Sequence, residues 1–352
     1  MTQKLELHPV SGKEPLGPVS AAEIENIARR VDFSPVHGAD ILLTGGQGML
    51  GNYAAQAMLE ASLLQGSSPR SFISMGRRPP DETMGWSAKF PNFQYLVEDI
   101  SYSSVFPHSD FFLHFASSAS PTKYQSEAAL WQANIGGAIG ALGAGAGPEK
   151  TLFVSSGEVY GAGRAGGYSE GVGAQIVPHS QRSAYPNSKL ATEYLLRGWA
   201  ENHEKSLRIA RVFHTFGPGL RRDDGRVFGD ILWSAYEGRD IKLSSTGIAE
   251  RNFAYIEDTV VGLFALLFAE GQVLSTDIGG SERLTILDFA QKAAKLTGVN
   301  LVLPAGHITS GPPAVQGSPP LPDTSLLQSI GWNCEISVTT GIQRVLSSFS
   351  GQ

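Results

Sequence analysis

The 352-residue chain reads as an α/β protein: a doubly wound parallel sheet followed by a smaller C-terminal α/β subdomain. Three observations predict that fold class. Short apolar runs recur between turn residues, their spacing alternates with helix-length segments, and the first run ends in a glycine-rich turn that opens onto a helical stretch. Strands of a parallel sheet are covered on both faces, so they appear as continuous apolar runs and do not alternate with polar residues.

Residues 1–38 are polar and carry Pro9, Pro15, Pro18 and Pro35; they are read as an appended arm. Ser20 is an N-cap candidate for a short helix over AAEIENIARR. Ile24, Ile27 and Val31 recur there at helical spacing, so the arm is expected to lay an apolar stripe against a partner subunit. ADILLTGGQGMLGNYAAQAMLEASLL follows as strand, turn and helix, the opening of a βαβ unit. RSFISMG, FQYLVED, DFFLHFAS, KTLFVSSG and LRIARVF supply further strands, and the parallel-sheet domain is expected over 39–217. After GPGLRRDDGRVFGD the pattern loosens. Residues 218–352 are read as the smaller subdomain, with some segments returning to the main sheet; ILDFAQKAAKLTG is a helix candidate there. AGHITSGPPAVQGSPPLP, rich in proline and glycine, is read as a loop.

Composition excludes several classes. A net charge of -6 without long runs of like charge offers no basic face to nucleic acid. The single cysteine, Cys334, rules out an internal disulfide and a thiolate zinc site, and no metal site is expected. No segment approaches the roughly 20 apolar residues of a membrane span, and MTQKLELHPVSGKEPLGPV lacks the apolar core of a signal peptide. The expectation is a soluble cytoplasmic protein with no membrane partner.

The first chemical motif is TGGQGMLG. Gly45 allows the tight turn after the strand, Gly48 lets backbone approach a pyrophosphate, and Gly51 permits close helix packing, while the helix N-terminus offers free N–H donors. Gln47 and Met49 belong to the same turn. A glycine-rich turn with no ligand is the alternative in a chain with 41 glycines. At the end of the second strand, where an NAD-binding fold places a carboxylate for the ribose hydroxyls, stand Gly76, Arg77 and Arg78. A guanidinium there suits the 2′-phosphate of NADP, unless both arginines simply face solvent. Asp99 in VEDI, beside Ile100, either accepts from an adenine amino group or forms an Asx turn.

The second motif couples SSGEVYG, residues 155–161, with YPNSK, residues 185–189. A phenol with an ordinary pKa near 10 is a poor base at neutral pH unless positive charge lies close. Lys189 follows Tyr185 by four residues, on one face of a helix, and Ser156 at a strand end can hydrogen-bond the same substrate hydroxyl. Glu158 adds a carboxylate beside that serine. An amphipathic helix with an incidental Tyr and Lys is the alternative.

TGGQGMLG, HFASSASPTKY, SSGEVYG, YPNSK, RVFHTFGPG and DDGRVFGD, in this order, resemble the extended short-chain dehydrogenase/reductases that act on nucleotide sugars. The nearest likeness is to the UDP-glucuronate decarboxylases and related epimerase/dehydratases of surface-polysaccharide pathways, over about 39–349. The resemblance implies a Rossmann domain, a C-terminal substrate-binding subdomain, tightly bound NAD or NADP, and oxidation of C4 of a nucleoside-diphosphate hexose. It further implies Tyr185 as the base at O4, Lys189 as its electrostatic partner, Ser156 as the orienting hydroxyl and Glu158 beside C5. Ala116 and Ser117 would line the nicotinamide ribose, and Asn134 would support the cofactor pocket. Ser118 and Tyr124 would approach the sugar. Arg226 and Arg251 would contact the diphosphate and uridine, with His214 standing where decarboxylases carry Asn. A homodimer through the helices flanking the YxxxK helix is expected.

Departures from the pattern bear on the reaction. Gly157 replaces the Asp that protonates the leaving hydroxyl in typical 4,6-dehydratases, and Pro186, Asn187 and Leu190 differ from decarboxylase usage. The competing readings are a 4,6-dehydratase, a C4 or C5 epimerase, a carbonyl reductase, or a dinucleotide sensor without turnover.

Overall fold

The computed structural model describes residues 7–8, 17–103, 106–117, 126–143, 147–161, 183–304 and 321–349. In chain order its regular elements begin with a two-residue strand β1 (Leu7–His8), helix α1 (Ala21–Arg30), β2 (Asp40–Thr44), α2 (Met49–Leu64), β3 (Ser71–Gly76), β4 (Phe93–Val97) and β5 (Phe111–His114). Short helices α3 (Glu127–Trp131) and α4 (Gly137–Leu142) flank a π-helical turn at Gln132–Gly136, and β6 (Lys150–Ser156), α5 (Ala184–Asn202) and β7 (Ser206–Val212) follow.

All five apolar runs after the first form strands of one sheet, ordered β1-β4-β3-β2-β5-β6-β7 and ending on a later strand, β11 (Val273–Ile278). The seven strands from β4 to β11 are parallel. β1 adds an antiparallel edge, pairing Leu7 with Leu96, which the polar character of the arm did not suggest. The strand order runs outward in both directions from β2, so a crevice opens between the carboxyl ends of β2 and β5, where such folds bind ligands. The strict alternation of strand and helix lapses twice: a 3-10 stretch at Glu82–Lys89 joins β3 to β4, and among the described residues no helix stands between β4 and β5.

The C-terminal part holds β8 (His214–Phe216), α6 (Val227–Tyr236), β9 (Ile241–Lys242), β10 (Glu250–Tyr255), α7 (Ile256–Phe268), β12 (Arg283–Thr285), α8 (Ile286–Thr297), β13 (Leu301–Val302), α9 (Ser325–Ser329) and α10 (Val338–Phe349). β8, β10 and β12 form a second sheet, and β9 pairs with β13. The expected helix over ILDFAQKAAKLTG is α8, closed by Gly298 in the left-handed region at φ 77°, a conformation glycine adopts without strain. Most of the expected Pro/Gly-rich loop, 305–320, lies outside the described residues.

Ser20 caps α1 as its sequence implies. Its hydroxyl accepts from Glu23 N while the Glu23 carboxylate takes the Ser20 N–H, a capping box. The expectation that the α1 stripe faces a partner subunit is corrected: Ile24, Ile27 and Val31 are 3%, 0% and 5% exposed in this chain alone. They join the core shared by α2 and α7, because this chain's own apolar helices provide the burial.

Candidate active site

The glycine turn sits at the carboxyl end of β2. Gly45 has φ +81°, and a Cβ there would lie 2.6 Å from the Ala116 backbone nitrogen, so no side chain fits. A Cβ at Gly51 would come 2.4 Å from the Gly45 carbonyl oxygen, which is what lets α2 pack against the turn. Gly48 is the N-cap of α2 and no side chain caps that end, so a 16-residue helix presents free N–H groups toward the crevice. This cradle fits a dinucleotide pyrophosphate. Gln47 donates to the Pro79 carbonyl, tying the turn to the loop after β3, and Met49 is half-buried beside it.

Other expected cofactor contacts are placed as follows. Ala116 lies against Gly45 across the crevice. Asp99 accepts the Ser101 N–H at 3.0 Å, an Asx turn, and Ile100 is 6% exposed in an apolar patch with Leu42, Met75 and Leu96. Arg77 and Arg78 are exposed. Asn134 is fully buried in the π-helical turn and donates to Ser188 Oγ at 2.7 Å, one residue before Lys189, while its Oδ1 has no partner among the described residues. His114 closes β5 beneath it, with Nδ1 2.7 Å from Thr44 Oγ1. Burial, with the charge of Lys189, pushes its pKa down to about 3, so it stays neutral.

Tyr185 and Lys189 share a face of α5. Ser156 and Ser117 hydrogen-bond the phenol, and the charges of Glu158 and Arg226 reach it. Burial and then Glu158 push its pKa up to about 12, against Ser156, Arg226 and Ser117. Lys189 is 1% exposed; its ammonium donates to the Val154 carbonyl at 2.8 Å and stands 4.7 Å over the Phe153 ring. Burial pushes its pKa down to about 7 although Glu193 pulls the other way. Glu158 is exposed on the 3-10 turn after β6, its N–H donating to Ser156 Oγ at 3.2 Å.

The second sheet contributes a basic wall. His214 opens β8 opposite Phe253 of β10, and burial with the charges of Arg251 and Arg226 pushes its pKa down to about 3. Arg226, N-cap of α6, is bracketed by Asp224, with Nη2 2.8 Å from Oδ2, and lies 4.7 Å over Phe228. Arg251 donates to the Glu250 carbonyl at 2.7 Å. His214, Arg226 and Arg251 thus converge, and Arg226 links this wall to Tyr185. Ser118 and Tyr124 lie outside the described residues. Among the described residues no His, Cys, Asp or Glu cluster could hold a metal ion, and no helix is long and apolar enough to cross a membrane.

The family profile for NAD dependent epimerase/dehydratases matches residues 41–275, two-thirds of the chain and all of this geometry. The chain belongs to the NAD dependent epimerase/dehydratase family. Similar curated members include a UDP-glucuronic acid decarboxylase of Arabidopsis thaliana, 25% identical over 88% of this chain and 88% of that protein. One of Danio rerio is 26% identical over 88% of this chain and 72% of that protein. Among solved structures, UDP-glucose 4-epimerase of Thermotoga maritima superposes with a TM-score of 0.73 at 18% identity, covering 88% of this chain and 98% of that one. UDP-glucuronic acid 4-epimerase of Bacillus cereus, in complex with UDP-glucuronic acid and NAD, gives 0.70 at 21% identity, covering 88% and 98%.

In this member of the epimerase/dehydratase family, motif reading missed a polar chain behind Lys189. Ser155 donates to Glu193, Arg211 Nη2 meets Glu193 at 2.8 Å, and Arg211 Nη1 donates to Tyr160 OH at 2.8 Å, which donates to Asp277 at 2.7 Å. The signal available was Glu193 itself, four residues after Lys189 and so on the same helix face.

Proposed function

We propose that the protein oxidises C4 of a nucleoside-diphosphate hexose with a tightly bound nicotinamide dinucleotide, and that its reaction is the decarboxylation of UDP-glucuronate. The observation that carries the reading is the Tyr185 phenol, which Ser156, Ser117, Glu158 and Arg226 face from both halves of the molecule. One group bound against the phenol and the basic wall would bridge cofactor cradle and substrate subdomain. The curated relatives named decarboxylases support the choice among reactions.

When bound, the dinucleotide supplies the acceptor for the C4 hydride. Tyr185 takes the O4 proton, and Ser156 holds that hydroxyl toward it. A phenol near 12 needs nearby positive charge to act at neutral pH, and Arg226 together with a protonated Lys189 provides it. A ketone at C4 makes a C6 carboxylate a β-keto acid; the C5–C6 bond breaks to release CO₂, the enolate left across C4 and C5 takes a proton at C5, and no acid is needed to expel a hydroxyl. That suits position 157, where a Cβ would lie 2.7 Å from the Phe213 ring, so the dehydratase Asp has no room. Arg226 and Arg251 hold the diphosphate as bidentate donors. A groove of about 610 Å³ beside α6 and β9, lined by Val227, Ile231 and Lys242 among others, offers space for the base. A homodimer through α4 and α5 is part of the reading, supported by Ile139 and Tyr194, 51% and 70% exposed.

The test is product mass after incubation with UDP-glucuronate. Loss of CO₂, abolished in Tyr185→Phe with dinucleotide still bound, is the expected result. Unchanged mass with a new retention time means an epimerase and sinks the decarboxylase assignment; no conversion of any nucleotide sugar sinks the enzymatic reading.

A further inference from the structure

The loop after β3 and the loop after β8 meet in a pocket of about 450 Å³ lined by Arg77, Arg78, Arg221 and Asp223. Its position relative to the cradle is fixed by two contacts. Gln47 of the glycine turn donates to Pro79 O on one side. On the other, Gly219 packs near Met49 and Pro18, bringing Arg221 over the start of α2. The pocket therefore adjoins the end of the cradle at β3, where the adenosine ribose of a dinucleotide lies in doubly wound sheets.

The family is described as NAD dependent, and selection of an unphosphorylated ribose rests on a carboxylate at the end of this strand. Here no carboxylate can occupy position 76. The Tyr95 hydroxyl stands where a side chain would go, 2.1 Å from a Cβ built on Gly76. Tyr95 is 1% exposed and its hydroxyl has no hydrogen-bond partner among the described residues. The next two residues are arginines, and among the described residues neither is held in an ion pair. Arg221 is half-exposed and forms ion pairs with Asp81 at 3.5 Å and Asp223 at 3.6 Å, surface pairs that an incoming phosphate can replace. Asp81 is further engaged in capping Thr83 N. Three guanidiniums thus face a space bounded by one lining carboxylate, an arrangement suited to a dianionic phosphomonoester, which guanidinium binds bidentately.

We propose that this pocket takes the 2′-phosphate of the adenosine ribose, so that the dinucleotide of this chain is NADP. The inference rests on the dinucleotide reading of the cradle and deepens it.

The test uses two ligands that share the adenosine diphosphate moiety and differ only in the phosphomonoester: ADP-ribose and 2′-phospho-ADP-ribose. Calorimetric titration of the full-length protein, freed of bound nucleotide, should show the phosphorylated ligand binding at least about tenfold tighter, the size of one good charge-assisted contact. Arg77→Ala, Arg78→Ala and Arg221→Ala should each weaken it by about threefold or more while moving ADP-ribose by less than about twofold. The dinucleotide released on denaturation should have the mass of NADP. ADP-ribose binding as tightly as its phosphorylated form, equal losses for both ligands in the arginine variants, or release of NAD alone overturns the proposal and leaves the cradle intact. Failure of both ligands to bind overturns the dinucleotide reading as well.

Discussion

Replacing Lys189 by Met should stabilise the protein while abolishing its chemistry. The side chain is 1% exposed, and burial brings its pKa from an ordinary 10.5 to about 7. At about 1.4 kcal/mol per pH unit, carrying the charged ammonium costs the folded state about 5 kcal/mol. Methionine fills similar volume but loses the hydrogen bond to Val154 O and the contact over Phe153, together about 2 kcal/mol. The net gain is about 3 kcal/mol below pH 7. The sign follows from proton binding. The unfolded chain keeps its Lys189 proton up to 10.5 and the folded chain releases it from about 7, so parent stability rises with pH across that window. The advantage of the variant should therefore shrink above pH 7, cross zero near about pH 9 and reverse beyond it. Urea unfolding of both proteins, freed of nucleotide, from pH 6 to 10 measures this directly. A variant no more stable than its parent at pH 6, or an advantage that does not change with pH, would refute the buried-charge argument.

Three further outcomes are expected. Gly157→Asp should push against the Phe213 ring, 2.7 Å from the new Cβ, lowering stability by about 1–3 kcal/mol in thermal melts and yielding no dehydrated product by mass spectrometry. Arg208, 1% exposed, donates to the carbonyls of Leu207, Leu266, Ala269, Gly271 and Gln272 around the end of α7. Arg208→Met leaves these acceptors uncapped and should cost about 3 kcal/mol by urea midpoint. Deleting residues 1–31 removes the buried Ile24, Ile27 and Val31, each worth about 1.5–3 kcal/mol, so the melting temperature should fall sharply; an unchanged melt would mean α1 is not part of this core.

What was legible in the chain follows from how local its cause is. Phe111 to His114 are all buried, so β5 shows as an unbroken apolar run, and the Ser20–Glu23 capping box spans four consecutive residues. The glycines of the turn and the Tyr185–Lys189 spacing are equally local. The polar chain behind Lys189 is not, because Arg211 lies 18 residues from Glu193, 51 from Tyr160, and Tyr160 lies 117 from Asp277. Nothing in the neighbourhood of Tyr160 marks it as an acceptor for a distant guanidinium. Lys189 is expected to serve Tyr185 through charge; its ammonium also donates to the Val154 carbonyl, a contact set by how α5 crosses β6 and invisible to helical spacing. The reading of the arm failed for the same reason: amphipathic spacing reports that a face is buried, not which surface buries it.

That arm explains why the basic wall stays in place. The Glu23 carboxylate caps its own helix with Oε2 and accepts the Tyr255 hydroxyl at 2.6 Å with Oε1, across 232 residues of sequence. Tyr255 ends β10, the strand that carries Arg251 and packs Phe253 against His214. One residue later α7 begins, and α1 grips its first turn too, Asn26 on Glu257 and Arg30 on Asp258 at 2.8 Å. Asp258 in turn accepts the N–H groups of Glu335 and Ile336. Glu23 and Glu257 are both buried carboxylates, and burial holds the Glu257 pKa above its ordinary value. Arg344 answers them, 2.6 Å from Glu257 and 3.8 Å from Glu23. A helix from the N-terminal arm, a strand of the second sheet and the C-terminal helix α10 are therefore held by one set of charges. The position of Arg251 beside His214 and Arg226 depends on that lock, so the arm acts on the site through the strand it fastens.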